Sequence, residues 1–494
     1  MDEKEPVIII GAGLGGLSAA IYLAVAKRPV MVLEKNDKVG GKISETRMGG
    51  YRWDTGPTEI TMLDVFEALF KAAGRQFKES LQLFPLDPIA RYFFADGRHL
   101  DIWRDLPRTT AGIAAMDARN VEEYLSFLAH AAGQYRLTSP IYTYGPPPNW
   151  RSLVRLGLGD LAKVDMFRNL DAVVHEHVHS PYLQKIFNHY ATSVGANPYQ
   201  APAWLSSVAH VELSGGVWYP RGGIYSLAQA LERLAVEQGV KIKTRSPVRE
   251  IVVKDREVRG VLLEDGTLYD AKTVISNVDV ATTFSSLLPQ KPPYIWELEK
   301  YEAKSLSSSA FMLLMGVKGR HNELAHRNIF LPKDNQKEFE QIFSKGIPPD
   351  DPTINLTITS KSDSQHAPIG GENWSVMVNV PPQSARFDWQ SQSASYREVV
   401  LAALARHGYD LTDKVEVEQV ISPLDLERNN GAYHGALYGL GLHSWTAPFR
   451  RPHPQAKVPA GLYFVGSTTH PIGGVPMAIL SGKYTAQIVN KILA

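Results

Sequence analysis

The chain has 494 residues, with 52 Lys and Arg against 51 Asp and Glu and a formal net charge of +1. That length suits two or three domains, and with no long block of one charge sign to follow a phosphate backbone, nucleic acid is not expected as a partner. There is no cysteine, which excludes disulfides, thiolate nucleophiles, Cys-ligated metals and a cysteinyl bond to a cofactor. No apolar run reaches the roughly 18 to 20 residues that span a bilayer. The start, MDEKEPVIII, lacks the basic segment and apolar stretch of a secretory signal. Any meeting with a membrane is therefore expected from one side only.

The first element is a β-branched strand, Val7 to Ile10, followed by the turn Gly11-Ala12-Gly13-Leu14-Gly15-Gly16 and an Ala/Leu-rich helix. A second strand, Val30 to Leu33, runs into Glu34 and Lys35. Strand, G-x-G-x-x-G turn, helix, strand and terminal acid stand in the order of a dinucleotide-binding unit. Gly11 permits the tight turn, Gly13 the approach of a pyrophosphate, and Gly16 the packing of helix on strand. The helix N-terminus offers N–H groups and partial positive charge to the phosphates. Glu34 lies eighteen positions after Gly16, close to the spacing of about 20 for an acid that accepts ribose hydroxyls and repels a 2′-phosphate. The motif by itself does not separate NAD from FAD.

Next comes "EKNDKVGGKISETRMGGYRWDTGPT", with Gly40-Gly41 and then Asp54-Thr55-Gly56-Pro57-Thr58. This arrangement resembles the flavoprotein family that includes amine oxidases, protoporphyrinogen oxidases and carotenoid desaturases. The resemblance implies non-covalently bound FAD, with Gly41 beside the pyrophosphate and Gly56, Pro57 and Thr58 near the flavin ring. Lys42 stands where an arginine is common; it keeps the charge and loses the planar fork.

Further along, "GVWYPRGGIYSLAQALERL" predicts a Gly-rich loop and an amphipathic helix from about Ser226 to Gln238, then alternating strands with a turn at Asp265-Gly266. By resemblance this segment returns to the nucleotide domain, with the backbone of Val248 at the adenine and Asn277 after a strand that rejoins the sheet. The fold expected is α/β: a doubly wound, Rossmann-like FAD-binding domain, discontinuous over 1–80, 217–281 and 425–494, with a mixed-sheet and helical substrate domain over 81–216 and 282–424. The first substrate stretch reads as helix-rich. In the second, "SKSDSQHAPIGGEN" predicts a polar, mobile tip.

The C-terminal stretch "YFVGSTTHPIGGVPMAILSG", Tyr463 to Gly482, is a short apolar strand, a Gly/Pro-rich turn and a helix start. With "GVWYPRGG" and "LDPIARYFFADGRHLDI", it resembles the bacterial phytoene desaturase family from one end of the chain to the other. That implies contact of Gly466, Gly474, Val475 and Pro476 with the flavin, and a helix N-terminus facing the ring. Ile472 stands where glycine is usual in that family, which narrows the room beside the ring.

Two motifs lead elsewhere. "HEHVH", His175 to His179, fits the H-E-x-x-H zinc pattern, in which His175 and His179 would share a helix face; no third ligand follows at a recognised spacing, so a plain helix face is expected and no metal. "NWRSLVRLGLGDLAKVDMFRNL", Asn149 to Leu170, mixes basic, aromatic and aliphatic residues, suiting either a membrane interface or a packed helix of the substrate domain.

The resemblance implies a carotenoid desaturase acting on a long apolar isoprenoid, cytoplasmic and peripheral on the inner face of the cell membrane. Phytoene is the familiar substrate of the family; the stretch Asp54 to Gly74 also resembles enzymes that desaturate hydroxylated or monocyclic carotenoids at the 3,4-position. Hydride would pass to flavin N5 and a proton to a base. Glu59 and His470 would sit near the ring, either as proton acceptors or in structural roles. The rival readings are a flavin amine oxidase, which shares the N-terminal half of the pattern, and a non-catalytic prenyl-lipid carrier of the same fold.

Overall fold

A computed structural model describes residues 5–148, 160, 163–290 and 293–494. A five-stranded, wholly parallel sheet takes its strands in the spatial order Leu462–Phe464, Val274–Ser276, Val7–Ile10, Val30–Leu33, Lys241–Lys243. Parallel strands buried on both faces need apolar runs, and all residues of Val7–Ile10, Val274–Ser276 and Leu462–Phe464 are buried. The helices Leu14–Val25, Tyr225–Glu237 and Val475–Ile492 pack together over one face of this sheet. The glycines make that packing close: a Cβ on Gly482 would lie 2.7 Å from the Gly15 carbonyl oxygen and the Ala19 nitrogen.

A second sheet of seven strands runs Val415–Ile421, Ser309–Lys318, Gly371–Val380, Ile354–Ile358, Arg327–Phe330, Ala90–Phe93, His99–Ile102. It is antiparallel except where Arg327–Phe330 lies parallel to Ala90–Phe93. The helix-rich reading of the first substrate stretch thus missed its contribution to this sheet: Ala90–Phe93 and His99–Ile102 are four-residue strands, too short for an alternating pattern to stand out. A three-stranded antiparallel sheet, Val248–Lys254, Glu257–Leu263 and Leu268–Asp270, completes the main architecture. The expected amphipathic helix runs Tyr225–Glu237. The polar stretch near Ser364 folds as short 3-10 turns, with Asp363 accepting a bond of 3.0 Å from the Gly222 N–H. The architecture is the α/β fold expected, a Rossmann-like parallel sheet beside a mixed one.

Candidate cofactor and active site

The phosphate end is built where three distant stretches converge. Gly11 leaves its strand with φ +95° and Gly16 follows so closely that a Cβ there would lie 2.2 Å from the Gly11 carbonyl oxygen. Gly13 forms a parallel bridge to Gly40, whose N–H donates to Ala12 O at 2.9 Å, and Gly41 (φ +59°) packs on the Gly13 backbone. Asn277, carried in by the Val274–Ser276 strand and held by its N–H to Ile10 O at 2.8 Å, lays its carboxamide across this cradle. A Cβ on Gly13 would meet Asn277 Nδ2 at 2.5 Å, and one on Gly15 would meet the Gly466 nitrogen at 2.7 Å. Leu14 opens the helix Leu14–Val25, whose N-cap, Gly13, offers no side-chain cap. Those first-turn N–H groups are therefore available to an anion. The cradle suits a dinucleotide pyrophosphate: only glycines let the backbones come this close.

At the end of the second strand, where a ribose is expected, the buried Glu34 accepts from the Ala12 N–H at 2.7 Å and the Asn36 N–H at 2.9 Å, one to each oxygen. Each carboxylate oxygen keeps a further lone pair for a ribose hydroxyl. The chain leading into Val248 runs alongside, with Ser246 N–H to Glu34 O at 2.8 Å and Arg245 N–H to Asn36 O at 2.9 Å. Lys35 turns away and donates to Arg428 O at 3.2 Å. A cleft of about 330 Å³ opens beside Gly41, bordered by Asn36, Ser44, Thr55 and Asp425.

In the stretch expected beside a flavin ring, Gly56, followed by Pro57 and Thr58, sits so near the Lys42 carbonyl that a Cβ would come within 2.0 Å of its oxygen. Lys42 Nζ donates to Leu437 O at 2.5 Å. Burial pushes the Lys42 ammonium down, opposed by Asp279, and pushes the Asp279 carboxyl up, opposed by Lys42. The Gly466 N–H donates to Ser481 Oγ at 2.8 Å, locking the strand end to the C-terminal helix. That helix begins at Val475 and Pro476 after Gly474 (φ +124°), again with no side-chain cap. Gly473 packs so close to the Tyr438 ring that a Cβ would lie 1.9 Å from its Cδ1, and Ile472 contacts both the nucleotide-side core and the substrate-side core.

His470 is buried and its Nε2–H donates to Gly145 O at 2.9 Å, while burial pulls its pKa down to about 4. It joins the C-terminal turn to the loop "YGPPPNW", of which residues 149–150 lie outside the described set. Arg451, which sequence reading did not single out, is buried and donates to the carbonyls of Leu440 at 3.0 Å, Ser467 at 2.7 Å and Thr469 at 3.1 Å. Burial draws its pKa down to about 10. One guanidinium thereby ties both chain stretches of the C-terminal turn.

Glu59 faces the substrate sheet. Its Oε1 lies 3.4 Å from Arg327 Nε, and Arg327 Nη1 donates to Glu212 Oε2 at 2.8 Å. Thr58 Oγ1 lies 3.4 Å from Thr357 Oγ1, opposite Arg327 in the sheet. Sequence reading missed Arg327 and Glu212, although a charge in an otherwise apolar strand, "RNIF", with every residue buried, is a signal in itself.

The zinc-like motif does not assemble. Helix Leu170–His177 stops before His179, because Val178 is extended and Ser180-Pro181 starts another helix. His179 bonds Glu123 at 3.1 Å and Glu176 pairs with Arg168. Most of the Asn149–Leu170 segment, residues 149–159 and 161–162, lies outside the described residues. In its described part, Phe167 is 80% exposed and meets the exposed Trp445 edge-on at 5.4 Å. No helix among the described residues is long and apolar enough to cross a membrane.

Residues 14–490 match the profile of the family "Flavin containing amine oxidoreductase". The chain is 34% identical to the 4,4′-diapolycopene oxygenase of a Methylomonas species, over 98% of this chain and 97% of that one. It is 32% identical to the 4,4′-diaponeurosporene oxygenase of Staphylococcus haemolyticus, over 99% and 98%. An oxidoreductase of solved structure from Methanosarcina mazei superposes with a TM-score of 0.65 at 17% identity, covering 98% of this chain and all of that one, and so shares the fold. With a family match over nearly its whole length and relatives more than 30% identical along the whole chain, the chain belongs to the flavin-containing amine oxidoreductase family.

Proposed function

We propose that this oxidoreductase binds FAD without a covalent bond and oxidises a long carotenoid near one end of its chain. The observation that carries the reading is similarity along the whole length, substrate half included, to relatives named for the oxidation of 4,4′-diapolycopene and 4,4′-diaponeurosporene. When bound, FAD would supply a two-electron acceptor for a hydride from a C–H bond flanking the polyene.

The chain's own residues have distinct tasks. The Gly11–Gly16 turn, Gly41, Asn277 and Gly466 hold the pyrophosphate; Glu34 and the backbone near Val248 hold the adenosine. Lys42 and the uncapped turn at Gly474–Pro476 place positive charge at the ring. Glu59 takes the proton that must leave the neighbouring carbon. His470, with Nε2 committed to Gly145, keeps only Nδ1 to accept a proton and otherwise fixes the loop that closes the ring end. Water is kept out by the apolar packing of Ile472 on both cores.

Two outcomes share that first C–H cleavage: 3,4-desaturation, which fits a proton acceptor at Glu59, and oxygenation, which the names of the relatives favour. Incubating the FAD-loaded chain with 4,4′-diaponeurosporene and with a 1-hydroxylated acyclic carotenoid under ¹⁸O₂ separates them. A product lighter by two hydrogens supports desaturation; incorporation of ¹⁸O overturns it in favour of oxygenation.

So apolar a substrate has to be collected from lipid, and the exposed Phe167–Trp445 pair suits insertion into a membrane surface on the cytoplasmic side. Flotation with liposomes is expected for the full chain and is expected to fall when both aromatics become Ser. Flotation unchanged by that double substitution would remove this surface from the account.

A further inference from the structure

Arg327 begins a strand well inside the seven-stranded sheet and is nine-tenths buried, between Glu59 on the flavin side and Glu212 on the helix Ser206–Gly215. Burial by itself would lower the pKa of its guanidinium, but Glu212 and Glu59 outweigh that and hold it well above the ordinary arginine value. Among the described residues neither carboxylate has another cationic partner within 4.0 Å. Counted as formal charges, two carboxylates against one guanidinium leave one surplus negative charge. The adjacent His189 does not compensate it, since burial and then Arg327 push its pKa down to about 3 and it stays neutral.

Helix stability does not explain Glu212. It lies in the last turn of its helix, where the macrodipole disfavours an acid. Nor does the cluster serve the nucleotide, which is held elsewhere. What the cluster adjoins is the seam between the flavin turn and the substrate sheet: Thr58 next to Glu59 faces Thr357, and Tyr438, which packs on Gly473, feels the charge of Glu59.

We propose that Arg327 and Glu212 are positioning residues that set, through Glu59, one net negative charge beside the reacting carbon, where it stabilises positive charge developing on the polyene. This rests on the reading of the protein as a flavin-dependent carotenoid oxidase. In that reaction the C–H bond breaks with both electrons leaving on hydride to oxidised FAD, which is reduced. The carbon left behind is cationic and delocalised along the polyene. The neighbouring C–H proton passes to Glu59, and its electron pair forms the new C=C bond. A fixed anion backed by the buried Arg327 and Glu212 favours that cation more than water would.

Glu212→Gln tests this because it removes the surplus charge and leaves Glu59 in place. Two readouts are needed: flavin reduction by 4,4′-diaponeurosporene in liposomes under anaerobic conditions, and the flavin midpoint potential. The proposal expects the potential to move up, because a negative charge near the ring has gone, and flavin reduction to slow by about tenfold or more. A higher potential alone would speed reduction, so the opposite pairing is specific to losing stabilisation of the substrate cation. An unchanged potential with a rate within about twofold of wild type, at normal FAD content, overturns the proposal. Should Glu212→Gln fail to retain FAD, Glu212→Asp decides: a rate within about threefold of wild type supports the charge role, and a loss of about tenfold at an unchanged potential assigns Glu212 to packing. If wild type itself is not reduced by the carotenoid, the proposed function fails first.

Discussion

Gly15→Val is expected to abolish stable FAD uptake. The new Cβ would stand 2.7 Å from the Gly466 nitrogen, 2.9 Å from the Gly466 Cα and 2.7 Å from Asn277 Oδ1. Two of these three atoms are backbone and cannot swing aside, so either the helix Leu14–Val25 or the C-terminal turn must move. Both carry the cradle. Overpacking of this kind costs about 1–3 kcal/mol before any lost contact with the cofactor is counted, so a fall in FAD affinity of about 100-fold or more is expected from flavin titration of the apoprotein. Gly133→Ala is the control: nothing lies within 4 Å of its Cβ position on the helix Asn120–Tyr142, and it should keep full affinity. Equal affinity for wild type and Gly15→Val would mean that the cradle is not the cofactor site.

Glu59→Gln carries the second large effect. Glutamine keeps the length and hydrogen-bonding reach of the side chain, but it cannot take a proton and it gives up the ion pair with Arg327. Loss of a positioned general base lowers a rate by about 10² to 10⁴, so product formation should fall into that range while FAD content and thermal unfolding stay close to wild type. Turnover unchanged at normal flavin content would dismiss Glu59 as the acceptor and leave it a purely structural partner of Arg327.

The nucleotide half was legible because its determinants are local in sequence or of unmistakable type. Gly11, Gly13 and Gly16 follow a strand within six residues, and Glu34 ends the next strand; a reader needs only order and spacing. The turn and helix start at Gly474 and Pro476 were legible in the same way, while their contact with a flavin came from resemblance. Asn277 and Gly466 also came from resemblance; in the structure the Asn277 carboxamide fills the space that side chains on Gly13, Gly15 and Gly466 would need.

What stayed hidden is pairing across the chain. Arg327 and Glu212 are 115 residues apart and meet only because one strand and one helix are brought together by the folded substrate half. Arg451 bonds to carbonyl oxygens, and main-chain acceptors have no signature in a sequence. His470 was legible as a residue of the turn but not as a donor to Gly145, because the partner is again backbone, 325 residues away. The zinc-like HEHVH misleads for the opposite reason. Its letters fit a helix, yet Ser180-Pro181 opens the next helix and ends the first before His179.

The central claim is that electrons leave a carotenoid at the flavin held between the Gly11–Gly16 turn and the Gly466–Pro476 turn. Mixing the FAD-loaded full chain anaerobically with liposomes containing 4,4′-diaponeurosporene, and following the oxidised-flavin absorbance, tests it most directly. The account predicts bleaching of the flavin band with matching consumption of the carotenoid. A flavin that stays oxidised in the presence of carotenoid, yet bleaches when an amine such as putrescine is added, would contradict it.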